Sequence, residues 1–243
     1  MSTTSEFTFA PRLNIEGSPT GEFYNQLLRG MTHKLNNMLA VIQGFSSLIL
    51  MGDDLEKGVK DNLDHMKEAA MSASGLSEKI LSAGGCARIS PQEIKLTDFL
   101  PMIDSNLRTP CANGNVPLSI NLAPNVPAIS ADAGRLKEIL IEVVANAAEA
   151  AAEAGGEVSL DVTAPGEVTP GSDRVDLFIR NSGATIPTEK LAACFEPFVT
   201  TKDSSHYGIG LTSAAVLSGM MDIPIGIKSV DNVTTVWLQL PVA

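Results

Sequence analysis

THKLNNMLAVIQGFSSLIL, residues 32–50, decides the fold of this chain. With Leu28 and Met31 just ahead of it, Leu35, Met38, Ile42, Phe45 and Ile49 recur at alternating steps of three and four residues. That is the seven-residue repeat of a packed helix. The run ends at Met51-Gly52-Asp53-Asp54, where the glycine can close one helix and the aspartates can cap the next. A second repeat follows: Val59, Leu63, Met66, Ala70, Ala73 and Ile80, with Leu76 and Ser77 sharing the intervening turn, up to Gly84-Gly85. The pattern predicts an antiparallel hairpin of two long helices. One hairpin cannot bury both stripes, so a dimeric four-helix bundle made with a second copy is expected.

His33 stands two positions after Met31 and two before Leu35. At 100° per residue it points about 160° away from both, off the stripe and toward solvent. An exposed helical histidine is ordinary surface when taken alone. One that accepts a phosphoryl group needs this exposure, because donor and receiver must both reach the imidazole in line.

Outward from the hairpin the periodicity changes. Glu93 to Leu96 and Leu118 to Leu122 alternate like strands, with a helix-like segment from Asp98 to Leu107 between them. Asp132 precedes a helical run, Leu136 to Ala154, that stops at Gly155-Gly156. Strands are expected at Glu157–Thr163 and Arg174–Arg180, a helix near Gly210–Met220, and a closing hairpin of IGIKSV and TTVWLQL. The fold class is therefore α+β: a long helical hairpin followed by a two-layer α/β sandwich. The expected organisation is a flexible arm over 1–17, the hairpin over 18–88 and the sandwich over 89–243.

Composition narrows the function. Hydrophobic residues make up 44% and charged residues 19%, which suits a globular protein. A net charge of −11 argues against nucleic acid or an anionic membrane surface as partner. Cys86, Cys111 and Cys194 show no metal-ligand spacing or disulfide framework, which suits a reducing cytoplasm. The polar N-terminus does not read as a signal peptide, and Met38 to Met51 is too short and polar to span a bilayer. A cytoplasmic location is expected.

Two further blocks carry possible chemistry. In LKEILIEVVANAAEA, Glu142 and Asn146 are four apart and share one helical face. Such a carboxylate and amide could hold a metal-bound triphosphate, or could equally be a solvated polar stripe. In the block from Asn181 to Leu211, Gly183, Gly208 and Gly210 are compatible with backbone amides cradling an anion at a helix start. Lys202 would add a point charge for phosphate.

In this order the blocks resemble the bacterial histidine-kinase superfamily over residues 20–241. THKLNNMLAVIQGF is similar to its H box, and VPAISADAGRLKEILIEVVANAAEA to the segment leading into its N box. NSGATIP resembles the G1 box, FEPFVTTK the F box, GIGL the G2 box, and TTVWLQLP the last strand. The resemblance implies an ATPase domain of the gyrase–chaperone–kinase type. His33 would be the phosphoacceptor, and Asn37, one turn on, would orient water for dephosphorylation. Asn146 would bind Mg²⁺, with Glu142 the polar residue one turn before it. Gly183 would flank the adenine pocket, Lys202 would belong to the lid, and Gly208 and Gly210 would lie against the phosphates. ATP and Mg²⁺ are the implied cofactors. Response-regulator receiver domains, a second copy of this chain and a separate sensor or hybrid kinase are the implied partners.

The departures from the family pattern bear on which activity survives. The residue after the histidine, commonly acidic in the family, is Lys34, which cannot act as a base while charged. Losing a general base typically removes ~10²–10⁴-fold in rate. The adenine-binding aspartate is matched by Asn181, a G1 glycine by Thr185, and the first G2 glycine by His206. An amide accepts the adenine hydrogen bond without charge assistance, and a branched side chain crowds a site of close backbone approach. Relaxed demand for ATP makes a histidine phosphotransferase the leading expectation. An active ATP-dependent kinase and a non-catalytic scaffold for response regulators are the alternatives.

Overall fold

The computed structural model describes residues 6–11, 19–52, 55–200 and 207–243. The chain divides into two units, residues 14–87 and residues 1–13 with 88–243.

The first unit is the hairpin: α1, Pro19–Leu50, and α2, Lys57–Ala83. The helices run antiparallel, because Gln43 reaches Ser74 while Cys86, just past α2, bonds Asn25 near the start of α1. On α1 the seam is not the row of large side chains that the heptad predicts, whereas on α2 its buried residues belong to the second repeat. Thr32, Leu39 and Ser46, seven apart on α1, are buried, as are Leu63, Ala70 and Ser77 on α2. Met31, Met38 and Phe45 are 60%, 62% and 63% exposed, with Leu35, Ile42 and Ile49 also exposed. Small residues let the two helices of one chain pack closely, and the bulky row faces outward. The Asp53-Asp54 pair expected to cap α2 lies outside the described residues. The helix begins at Lys57 behind Glu56, which makes no side-chain cap bond.

The second unit holds β1 (Thr8–Phe9), β2 (Gln92–Ile94), α3 (Leu96–Asn113), β3 (Leu118–Leu122) and β4 (Ile129–Ala131). It continues through α4 (Ala133–Ala154), β5 (Val158–Thr163), β6 (Arg174–Ser182), the one-turn α5 (Thr188–Leu191), α6 (Gly210–Met220), β7 (Ile225–Val230) and β8 (Val233–Pro241). Six strands form a mixed sheet in the order β1-β7-β8-β6-β5-β3, and β2 pairs with β4 apart from it. α4 packs against β6 and between α3 and α6, presenting Leu136, Ile139, Leu140, Val143, Val144, Ala147, Ala148 and Ala151 as its buried row. Asp132 caps it, accepting from the Arg135 amide at 3.0 Å and the Ser90 amide at 2.8 Å. Gly155 ends it in the left-handed region, at φ 63°. This is the expected two-layer sandwich.

One expectation fails at the N-terminus. Within the supposed flexible arm, Thr8–Phe9 is an edge strand paired with β7. Its neighbour Phe7 sets its ring edge-on to Trp237 at 5.0 Å between centroids, and Phe9 lies at 5.7 Å. Gly226 makes room for them, since a β-carbon there would come within 3.0 Å of the Phe9 ring. Glu6 pairs with Lys228, whose ammonium holds the Glu6 carboxyl below its ordinary value. Aromatic burial on the outer sheet face is what fastens the segment. The strand expected over Glu93–Leu96 also shifts: it covers Gln92–Ile94, and Leu96 already opens α3. Among the described residues, no helix is long and apolar enough to cross a membrane.

Candidate functional site

On α1 the buried Thr32 turns the next residue outward, and His33, Lys34 and Asn37 are all exposed. Asn37 follows His33 by one turn, and its Nδ2 stands 3.4 Å from His33 Nδ1. Arg29, one turn before, donates instead to the Cys86 carbonyl. Asn36 also follows the histidine closely, but its Oδ1 is buried without a hydrogen-bond partner. The imidazole thus meets solvent, and its hydrogen-bond contact among the described residues is with an uncharged amide.

In the sandwich, α4 forms the floor of a second site. Glu142, Asn146 and Ala150 succeed one another at four-residue steps along one face, about 12 Å from end to end. At one end Glu142 Oε2 lies against Gly210, the first residue of α6, so closely that a β-carbon there would collide with it. Asn146 Nδ2 stands 4.0 Å from the same position. At the other end a β-carbon on Gly183 would come within 3.3 Å of the Ala150 carbonyl and 3.1 Å of Asn181 Nδ2. The fold therefore gathers Glu142, Asn146 and Gly210 at one end and Asn181 and Gly183 at the other. Gly208 holds φ 61°, and its carbonyl accepts from the Phe198 amide at 2.7 Å, tying together the two flanks of residues 201–206. Phe198, itself at φ 65°, is 66% exposed. Lys202 and His206 lie outside the described residues.

Thr185 stands in the loop between β6 and α5. Its hydroxyl faces the β7–β8 turn, where it accepts from the Asn232 amide at 2.9 Å. The Gly183 amide donates to Asn232 O, and the Ile186 amide to Ser229 Oγ, both at 2.9 Å. With the Thr185 hydroxyl also donating to Asn232 Oδ1 at 3.4 Å, four hydrogen bonds fasten the 183–186 loop to the hairpin beyond it. Sequence reading missed Ala150, Ser229 and Asn232. Ala150 acts here through its backbone, Asn232 through backbone and side chain, and only the Asp231-Asn232 pair, both with positive φ, carried a turn signal.

The residues present fit a nucleotide and its Mg²⁺ at the phosphate end better than at the base end. Mg²⁺ takes oxygen ligands from one or two side chains plus substrate phosphates, and Glu142 and Asn146 supply such oxygens side by side. Among the described residues, no group of three His, Cys, Asp or Glu could hold a metal without such a substrate. At the base end Asn181 is 6% exposed and donates its Nδ2 to Ser182 O at 3.0 Å. Its carbonyl oxygen and second N–H are both uncharged. A separate groove of about 430 Å³ lies between α3 and β3, lined by Leu100, Pro101, Asp104, Arg108 and Ile120 among others. None of the α4 site residues lines it.

Comparison with known proteins agrees with this fold. Residues 131–243 match the family described as histidine kinase-, DNA gyrase B-, and HSP90-like ATPase. The sensor kinase CckA of Brucella abortus (strain 2308) is 26% identical over 197 residues, covering 77% of this chain and 21% of its own length. The chain thus spans about a fifth of that relative. Full-length ShkA in complex with AMPPNP superposes with a TM-score of 0.77 at 22% identity, over 90% of this chain and 46% of that one. ThkA in complex with the response regulator TrrA superposes with a TM-score of 0.59 at 19% identity, over 90% of this chain and 61% of that one. The helical hairpin and the sandwich are both found in these structures.

Proposed function

We propose that this two-component histidine kinase transmitter works as a histidine phosphotransferase, in which His33 exchanges a phosphoryl group with the aspartate of a response-regulator receiver domain. One observation carries that choice: the Glu142 carboxylate lies against Gly210 at the start of α6. Backbone amides at a helix start favour an anion, and here a carboxylate of the chain itself stands in that place. A triphosphate arriving alone would meet like charge. At the base end, neutral Asn181 anchors adenine less firmly than a carboxylate would. The sandwich would then serve mainly as a docking body, and the chemistry would rest on the exposed imidazole. The receiver would supply Mg²⁺ and most of the positioning.

A second reading has its own support. Glu142 and Asn146 converge on Gly210, and Mg²⁺ between them and a triphosphate would turn repulsion into ligation. That is an ATP-dependent kinase.

A homodimer belongs to both readings. Met31, Leu35, Met38, Ile42, Phe45 and Ile49 are exposed on one chain, a contiguous apolar row of the kind that marks an interface. A second copy completing a four-helix bundle would cover it. The receiver-domain partner follows the ThkA–TrrA complex in kind, and the three free thiols suit a reducing compartment.

The test uses the purified full chain with either labelled ATP and Mg²⁺ or a panel of receiver domains phosphorylated by labelled acetyl phosphate. Label arriving from a receiver alone, and absent in His33→Gln, is the expected result. Label from ATP establishes the kinase and overturns the phosphotransferase. A receiver that binds while no label moves from either donor leaves a scaffold.

A further inference from the structure

A neutral imidazole carries one proton, and only the nitrogen without it is a nucleophile. Which nitrogen that is depends on the hydrogen bond made by the other. Around α1 the residues within one turn of His33 are Arg29, Gly30, Asn36 and Asn37. Gly30 has no side chain, and Arg29 is a donor turned to the Cys86 carbonyl. The Asn36 oxygen is buried and makes no bond. Lys34, adjacent in sequence, carries no acceptor. Asn37 alone of these reaches the ring, at 3.4 Å from Nδ1.

The two ends of a carboxamide exchange by a half-turn, so this position serves Oδ1 or Nδ2. With Oδ1 inward, the amide accepts from Nδ1–H, and Nε2 is left with its lone pair. With Nδ2 inward, it donates to Nδ1, and the ring proton is forced onto Nε2.

We propose that Asn37 is the positioning residue for His33: its Oδ1 holds the ring proton on Nδ1 and so leaves Nε2 as the nucleophile. This rests on His33 being the phosphoacceptor. In the step itself, the Nε2 lone pair forms the nitrogen–phosphorus bond as the bond from phosphorus to the donor's leaving oxygen breaks. That oxygen keeps the electron pair, as a receiver carboxylate or a nucleoside diphosphate. The Nδ1 proton stays on the ring, which becomes cationic. Nδ1–H is then a stronger donor to Oδ1, whereas an inward Nδ2 would face it donor to donor. The amide pose that prepares the nucleophile is also the one the product favours. Asn37 supplies by orientation what Lys34 cannot supply by charge.

The proposal is read directly from proton placement. Two-bond ¹H–¹⁵N correlation spectra of the ¹⁵N-labelled full chain, about two units above the ordinary imidazole pKa, report the tautomer of each histidine ring. His33→Gln identifies the signal. In Asn37→Leu the ratio of Nδ1–H to Nε2–H should fall roughly two- to fivefold, the equivalent of one net hydrogen bond. In Asn37→Asp, which offers only acceptors, it should rise above wild type. Circular dichroism confirms that both variants keep the helix. A ratio unmoved by both substitutions overturns the proposal. If His33 takes label from neither donor while the ratio still responds, the phosphotransfer reading fails and the tautomer assignment stands. If label reaches His33 and the ratio does not respond, the reverse holds.

Discussion

Replacing Phe7 and Phe9 together by alanine should loosen the sandwich measurably while leaving the hairpin alone. Both rings are partly buried and both contact Trp237, which is itself fully buried. Half-burying a phenylalanine is worth about 1–1.5 kcal/mol, taking half of the full-burial value. Each aromatic pair adds about 0.5–1.5 kcal/mol. The double variant should therefore lose about 3–6 kcal/mol, which for a domain of this size lowers the unfolding midpoint by about 6–24 °C. The readout is built in, because Trp237 is the one tryptophan of the chain. Its emission should shift to the red at room temperature as water reaches the indole, and its thermal transition should move down. Phe23→Ala on α1, where the ring is 61% exposed, is the control and should leave that transition in place. If the double variant keeps both the wild-type emission maximum and the wild-type midpoint, the two rings do not fasten β1 to the sheet.

Three further outcomes are expected. Met38→Asp with Phe45→Asp places charges on the outward row of α1, and light scattering at micromolar concentration should show the mass falling from dimer to monomer; an unchanged mass would exclude this row as the interface. Gly210→Ala should cost about 1–3 kcal/mol by driving a methyl into the Glu142 carboxylate. Adding Glu142→Ala should restore most of that loss, and a purely additive double variant would show that the two residues do not meet. Asp176 is fully buried, receiving a 2.8 Å bond from the Trp237 indole, and burial pushes its carboxyl above its ordinary value. The folded chain then keeps this proton to higher pH than the unfolded chain, so stability falls as pH rises from the unfolded value through the folded one and is flat beyond. Asp176→Asn should remove that slope. Its midpoint should exceed wild type at neutral pH, with the difference shrinking in acid; a difference that does not vary with pH would refute the assignment.

The parts legible in the sequence were those whose signal is local. Leu118 to Leu122 alternates and is β3, Gly210–Met220 is α6, and Asp132 caps α4 as a helix start should. The hairpin helices were legible too, but not which face joins them. A heptad of large residues reports burial somewhere, and the α1 row is exposed on the single chain, while Thr32, Leu39 and Ser46 meet Leu63, Ala70 and Ser77 of the second repeat in the seam. No hydrophobicity pattern selects Thr32 and Ser46. β1 was invisible because two residues are too few for a period, and its partner lies at the opposite end of the sequence. At the α4 site, Glu142 and Asn146 could be placed on one helical face from spacing alone. That Gly210 would meet Glu142, and that the Thr185 hydroxyl would meet Asn232, depended on long-range packing.

The pairing of β1 with β7 also sets an order of events during folding. The contacts between the hairpin's own two helices lie within residues 14–87, and helices joined by a short turn form early. Thr8 must wait for Ile227, closing a loop on the order of 200 residues whose entropy is repaid only at the end. On a ribosome β1, which emerges before the hairpin and the rest of the sandwich, is thus among the last of these elements to find its place. The finished chain leaves the sandwich through β1 and re-enters it at β2, so the helix bearing His33 is bounded on both sides by strands of the same folded body.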